Sequence, residues 1–481
     1  MSKSFLAVDL GASGGKTFIG TLNNKKLSIK EISRFWNGPV DSNGTLYWDF
    51  DKLLTHIKKG ITTAHSSCPL SSIAIDTWGV DFGLIDKNGK MIRQPVHYRD
   101  SRTKGMLKEA FKILPKEAIF EQTGIQFMEL NTLYQCMSIR KSSNYRESKN
   151  MLFSPDLLNY MLTGEKVAER TIASTSQLYN PHKKTWAVEL IKSFDLRLDL
   201  LPQIVDPGTI LGQYKDINVI AGAGHDTACA FTATPISANK KSAILSSGTW
   251  SLFGCELDHP IINKSALNEE FTNEVGVCDT IRFLKNMNGL WIIQELRHMW
   301  NKNGYSYTFE DMVSMAKKAT PFQFFIDPSN EDFFAPGDME NRIIVFCKKT
   351  NQRSPKSHGE IIRTAFEGLS FLYAKTFHSL KKITNIEFEV IHIVGGGSQN
   401  HLLNQMTASA IGLPVISGPV EATAIGNILV QIMSSGEIKN LSEGREIVKA
   451  SFKKEIHTFY PQENTKHKIA MKQWADLYSG K

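Results

Sequence analysis

Phe5-Leu-Ala-Val-Asp-Leu-Gly-Ala-Ser-Gly-Gly-Lys-Thr-Phe-Ile-Gly20 decides the fold. An apolar run reaches Asp9, breaks into a small-residue turn and re-emerges β-prone at Thr17-Phe-Ile-Gly-Thr-Leu22. Ser242-Ala-Ile-Leu-Ser-Ser-Gly-Thr-Trp-Ser-Leu-Phe253 repeats the pattern about half the chain later. Glycine and serine in such turns let backbone N–H groups approach an anion, and hydroxyls add donors. Asp9 and Ser246 stand at similar points of the two segments. A duplicated phosphate hairpin predicts two related domains meeting one nucleotide, hence an ATP-using enzyme.

The main rival is a P-loop, because Gly15-Lys16-Thr17 is its usual ending. That loop needs a first glycine where Leu10 stands, and it must feed a helix. Here a β-prone run follows and ends in Asn23-Asn24, a turn signal. An ordinary Gly-rich hairpin would explain either segment alone, but it does not account for the pair.

A chain of 481 residues has room for two domains with separate cores. Apolar residues at 41% and charged ones at 22% are ordinary for a soluble protein. The net charge of +8 is spread over scattered lysine pairs with no basic stripe, which argues against a nucleic-acid partner. No signal peptide or membrane span is expected, so a cytoplasmic location follows by default. The six cysteines include no Cys-x-x-Cys and no zinc-ligand spacing, and they read as buried free thiols. Monomer and homodimer both stay open.

Strands are predicted over 5–8, 17–22 and 27–35, then a helix near 49–65 with Leu53, Leu54, Ile57 and Ile61 at helical spacing. Residues 73–85 read as one further strand. The second half predicts the Ser246 hairpin, a long helix over 361–382 and a buried strand over 390–394 ending in Gly395-Gly-Gly397. This order predicts an α/β protein with two ribonuclease-H-like domains of the actin and hexokinase superfamily. The expected division is 1–236, carrying the first phosphate hairpin, and 237–481, with an ATP cleft expected between them.

Val219-Ile-Ala-Gly-Ala-Gly-His-Asp-Thr-Ala-Cys-Ala-Phe231 reads as a strand, a glycine turn and a polar triplet opening a helix. Asp226 there is either a helix N-cap or a base that takes the proton of a substrate hydroxyl during phosphoryl transfer. In the second case His225 and Thr227 line the acceptor. Asp9 is a candidate for holding Mg²⁺ through water, against a structural Asx-turn. Gly395-Gly-Gly-Ser-Gln-Asn400 lacks dinucleotide-fold spacing, but bare glycines allow a base and ribose to lie flat. The loop Arg99-Asp100-Ser101-Arg102 reads equally as a solvated ion-pair network or a sugar contact, whereas Trp78 and Phe127 read as core.

Together these segments resemble the FGGY carbohydrate kinases, most nearly their rhamnulokinase branch. The matching stretches include Asp9-Leu-Gly-Ala-Ser13, Ile75-Asp-Thr-Trp-Gly-Val-Asp-Phe82, Tyr98-Arg-Asp-Ser-Arg102 and Gly124-Ile-Gln-Phe127. Asn131-Thr-Leu-Tyr-Gln135, His225-Asp-Thr-Ala228, Leu245-Ser-Ser-Gly-Thr-Trp-Ser251 and Leu284-Lys-Asn286 follow. Gly289-Leu-Trp291, Val394-Gly-Gly-Gly397 and Gly418-Pro-Val-Glu-Ala-Thr423 complete the order. The resemblance implies transfer of the ATP γ-phosphoryl to O1 of L-rhamnulose, in an ATP and sugar cleft between a mostly sugar-binding domain over 1–236 and a mostly ATP-binding one over 237–481. By position it implies Asp226 as catalytic base, with Gly79, His225, Thr227 and Asn286 at the sugar. It implies Ala12, Ser13, Gly14, Gly15, Lys16, Thr249, Gln294 and Gly396 at ATP.

The phosphate turn is Ser-Gly-Gly-Lys where the family usually has Ser-Ser-Gly-Arg, which places a point charge where a guanidinium fork is usual. The general Lys and Trp motif of the family is missing from Phe153-Ser-Pro-Asp-Leu-Leu158, as it is in the rhamnulokinase branch. L-Fuculose or another ketose is the alternative substrate. A non-catalytic actin-like ATP binder is the alternative of another class.

Overall fold

The opening hairpin forms as its pattern predicts. The structure is a computed structural model describing residues 2–237, 239–462 and 465–477. In it β1 (Lys3–Gly11) pairs antiparallel with β2 (Gly14–Asn23), and β2 with β3 (Lys26–Trp36). Helix α1 (Phe50–Ser67) follows, capped by Asp49, whose carboxylate accepts from the Lys52 amide at 2.9 Å. Its Leu53, Ile57, Ile61 and Ala64 form one buried stripe, with Leu54 at the margin. The stripe belongs to the same core as Leu6, Val8 and Leu10, which alternate along β1 and so share a face. Each fully buried aliphatic side chain there contributes about 1.5–3 kcal/mol.

The stretch expected as a single strand over 73–85 is two strands in different sheets, β4 (Ser72–Thr77) and β5 (Phe82–Ile85). Between them Val80 takes φ +68°, a conformation that costs a β-branched residue about 1–3 kcal/mol. It is held there at both ends: its N–H donates to Thr175 Oγ1 at 3.2 Å, and its carbonyl accepts from Thr132 Oγ1 at 2.6 Å. Apolar patterning cannot show this break, because both strands are buried throughout.

Later come β6 (Ile210–Tyr214), β7 (Ile217–Ile220) and helix α2 (Asp226–Ala233). They complete a six-stranded sheet of order β6-β7-β4-β1-β2-β3, in which β1, β4 and β7 are parallel. Three antiparallel strands continued by parallel ones is the ribonuclease-H-like order.

Two compact units make up the chain. The first holds Met1–Pro235 together with Glu256–Leu284 and Ala422–Lys453; the second holds Ile236–Cys255, Lys285–Glu421 and Lys454–Lys481. The chain first crosses between Pro235 and Ile236, but two later segments return to the first unit. One of them, the helix Ala422–Ser434, is almost wholly buried. Gln431 Nε2 donates to the Leu6 carbonyl at 3.0 Å, and a Cβ on Gly426 would lie 1.8 Å from the Cys229 carbonyl. Only glycine allows this helix so close to α2.

The second unit repeats the arrangement with β8 (Ser242–Ser247), β9 (Trp250–Leu257), α3 (Trp291–Lys302), α4 (His358–Thr384), β10 (Val390–Val394), β11 (Val415–Ser417) and β12 (His457–Phe459). β8 pairs antiparallel with β9 on one side and parallel with β10 on the other, and β10 runs parallel to β11. A capping box between Ser357 and Glu360 starts α4, which extends past the predicted span at both ends. Among the described residues the six cysteines form no disulfide; Cys136, Cys229, Cys255 and Cys347 are buried, but Cys278 is exposed. Among the described residues no helix is long and apolar enough to cross a membrane.

Candidate active site

In the first unit the carboxyl ends of three parallel strands converge, the usual place for a ligand in such sheets. β1 delivers Asp9, which lies in register with Asp76 of β4 on one side and Lys16 of β2 on the other. Ala12 and Ser13 form the turn, and Gly14, Gly15 and Lys16 open β2. β4 runs out into Gly79. β7 leads to His225, and a bridge from Thr77 to His225 with Thr77 N–H on the Gly224 carbonyl at 2.9 Å ties the strand ends together.

His225, not Asp226, occupies the N-cap of α2, and Asp226 is the first helical residue. The N-cap alternative for Asp226 is thereby corrected. Its Oδ1 accepts from Thr227 Oγ1 at 3.1 Å and lies 3.4 Å from His225 Nε2. The Asp226 side chain keeps 31% exposure beside a His225 side chain at 9%. A Cβ added to Gly79 would stand 3.4 Å from His225 Nε2, so Gly79 borders the same ring nitrogen. Gly79, His225, Asp226 and Thr227 are thus neighbours, with one accessible carboxylate at a helix N-terminus.

Asp76 is fully buried; its Oδ2 accepts from Asn427 Nδ2 at 2.7 Å, while its Oδ1 has no hydrogen-bond partner among the described residues. Burial first, then the charge of Asp9, holds the Asp76 carboxyl well above the usual carboxylate range. No cluster of three His, Cys, Asp or Glu able to cage a metal exists among the described residues. An ion such as Mg²⁺, which keeps several waters and needs only one or two carboxylates, fits Asp9 beside the unsatisfied Asp76 oxygen.

Neighbouring polar groups are structural. Asp81 is buried under Trp48 and Trp78, whose indole N–H groups donate to its Oδ2 at 2.6 and 3.0 Å. Burial raises its carboxyl to about 6 despite those bonds. Trp78 stacks on Trp48 at 3.8 Å and belongs to the core, as expected. Phe127 packs at the margin of a second cluster. The reading of Arg99–Arg102 as a solvated network does not fit: Asp100 is buried and accepts from the Leu46 and Arg102 amides, and Arg102 donates to Gln135.

The second unit gathers its own candidates. Thr249, in the β8–β9 turn, donates through Oγ1 to Gln294 Oε1 at 3.0 Å. The same turn receives the amides of Gly289 and Trp291 on the Thr249 carbonyl, both at 3.2 Å, which docks the start of α3. Beside β8, strand β10 ends in the three glycines. Only Gly396 is open, with no atom within 4 Å of an added Cβ, whereas a Cβ on Gly397 would lie 2.0 Å from Ser247 Oγ. Of the bare glycines read from the sequence, one offers a flat surface and the others serve packing. Asn286 lies on the strand Ile281–Asn288, just past the passage at Leu284 from the first unit to the second.

Glu274 and Arg282 escaped the sequence reading. They are register partners on the antiparallel strands Thr272–Val275 and Ile281–Asn288, fully or nearly buried, and Arg282 reaches His225. An acid and a base on two neighbouring β-prone runs is the signal, but it needs the hairpin register.

Two family models cover the chain, the FGGY carbohydrate kinase N-terminal domain over residues 4–233 and its C-terminal domain over 243–435. A rhamnulokinase of Bacteroides thetaiotaomicron is 40% identical over 476 residues, covering 96% of this chain and 97% of that one. Those of Oceanobacillus iheyensis and Bacillus subtilis are 39% and 38% identical over 95% and 94% of this chain, and 98% and 95% of theirs. Among solved structures, a gluconate kinase from Lactobacillus acidophilus superposes with a TM-score of 0.79 at 14% identity, over 100% of this chain and 98% of that one. A Plasmodium falciparum glycerol kinase with ADP gives 0.78 at 15% identity, over 99% and 98%. Matched over both halves and nearly end to end, the chain belongs to the FGGY family of carbohydrate kinases.

Proposed function

We propose that this ATP-dependent carbohydrate kinase transfers the γ-phosphoryl of ATP to O1 of L-rhamnulose, giving L-rhamnulose 1-phosphate and ADP. The observation that carries the chemistry is the accessible Asp226 carboxylate at the start of α2, adjoining Gly79, His225 and Thr227. The substrate rests on the full-length likeness to curated rhamnulokinases. A neutral hydroxyl is a poor nucleophile; Asp226 orients O1 and accepts its proton as O1 bonds to the γ-phosphorus. The bond from that phosphorus to the bridging oxygen breaks, and the oxygen leaves on ADP. Thr227 holds Asp226 Oδ1, so the other oxygen can face the sugar. His225, Gly79 and Asn286 are assigned to the sugar.

Amides of Ala12, Ser13, Gly14 and Gly15 with the Lys16 ammonium are assigned to ATP phosphates; Thr249 and Gln294 of the second unit are likewise assigned to ATP, and Gly396 to its nucleoside. Asp9 would hold Mg²⁺ through water, and the ion would supply positive charge against the phosphates. A cytoplasmic place fits an enzyme that consumes ATP. A non-catalytic binder has no need of a carboxylate that the helix does not use as its cap.

L-Rhamnulose and L-fuculose differ at C4, and a site that hydrogen-bonds one hydroxyl leaves its polar groups unpaired with the epimer. In an ADP-release assay over a panel of ketoses, kcat/KM should favour L-rhamnulose over L-fuculose by about tenfold or more. Parity or reversal would keep the kinase and remove the substrate.

A further inference from the structure

We infer that Arg282, steadied by Glu274, is a positioning residue that locks His225 in its neutral Nε2–H tautomer, so that the ring offers a hydrogen-bond donor to the sugar. This rests on the sugar-kinase reading for its consequence, though not for its geometry. Both terminal nitrogens of Arg282 lie 3.2 Å from His225 Nδ1. A guanidinium donates and never accepts, so the Nδ1 it faces must present its lone pair, which leaves the ring proton on Nε2.

Glu274 Oε2 stands 3.3 Å from the same Nδ1 and competes by favouring a proton there. It is also 3.0 Å from Arg282 Nη1, so its charge is directed first to the guanidinium. Two donor contacts from an obligate cation outweigh one longer contact to a carboxylate that this cation already neutralises. The guanidinium cannot swing away: Arg282 is fully buried, and its Nε donates to the Val275 carbonyl at 3.1 Å.

On the other edge of the ring, Nε2 faces Asp226 Oδ1 at 3.4 Å and the space bordered by Gly79. The locked Nε2–H therefore points where Asp226 and the substrate hydroxyls are assigned. A ring of the opposite tautomer would offer a lone pair towards the Asp226 carboxylate and repel it.

Long-range ¹H–¹⁵N correlation of the full-length protein at neutral pH reads the tautomer directly, with the His225 signals identified by their loss in His225→Gln. The expected result is a protonated Nε2 and an unprotonated Nδ1. In Arg282→Met the remaining polar neighbour of Nδ1 is Glu274, so the proton should appear on Nδ1. KM for L-rhamnulose should then rise about tenfold with KM for ATP unchanged, the size of one lost hydrogen bond. A protonated Nδ1 in the neutral wild-type ring overturns the inference, as does a folded Arg282→Met with the wild-type tautomer. If Arg282→Met does not fold, the wild-type spectrum alone decides. A wild-type enzyme with the assigned tautomer but no turnover of any ketose would overturn the kinase reading and leave the lock standing.

Discussion

Replacing Asp226 by Asn separates a catalytic carboxylate from a structural one. The substitution keeps the shape, and the Asn carbonyl can still accept from Thr227 Oγ1, now at 3.1 Å. What disappears is the charge and the capacity to take a proton. A positioned base is worth about 10²–10⁴-fold in rate, or roughly 2.7–5.4 kcal/mol of barrier. The structural loss is smaller: Asp226 is not the N-cap, so only its favourable charge in the first turn of α2 is removed, about 0.3–1 kcal/mol. Turnover should therefore collapse while the melting temperature barely moves. A coupled ADP-release assay at saturating L-rhamnulose and MgATP, paired with a thermal melt, measures both. If the variant kept more than about a tenth of wild-type kcat, Asp226 would not be the base.

Thr249→Val removes the donor to Gln294 and a hydroxyl from the second hairpin turn. KM for ATP should rise more than KM for the sugar, by about 0.5–1.5 kcal/mol for a neutral hydrogen bond; equal shifts would count against the ATP assignment. Asp81 gives a pH prediction. Its folded carboxyl titrates at about 6 against an ordinary 3.8, so its protonated form stabilises the fold. That contribution is complete below the ordinary value and is lost as pH rises through about 6. In Asp81→Asn the group no longer titrates. Thermal melts at pH 5 and pH 7.5 should show the wild-type advantage over the variant shrinking at the higher pH. A constant gap would refute the burial effect.

Local chemistry determines much of this protein without any tertiary contact. Apolar runs broken by Gly-Ala-Ser-Gly-Gly and Ser-Gly-Thr make β-hairpins wherever they stand, because the turn residues and the β-prone flanks are adjacent in sequence. A stripe of period 3.6 through Leu53, Leu54, Ile57 and Ile61 announces α1 for the same reason, and the His225-Asp226-Thr227 triplet after a glycine turn marks a polar helix start. What escaped are features set by partners far away in the chain. The break at Val80 depends on Thr132 and Thr175, which hold an unfavourable backbone in place. The return of Ala422–Ser434 to the first unit depends on a sheet face left open by residues near the N-terminus, and on Gly426 meeting Cys229. Asp76 looks like any strand residue until burial and Asp9 raise its carboxyl. Glu274 and Arg282 become a pair only through hairpin register, and reach His225 only through the tertiary fold. Sequence determines which groups can bond to their near neighbours; which side chains lose water, and which charges then face each other, is decided by packing at long range.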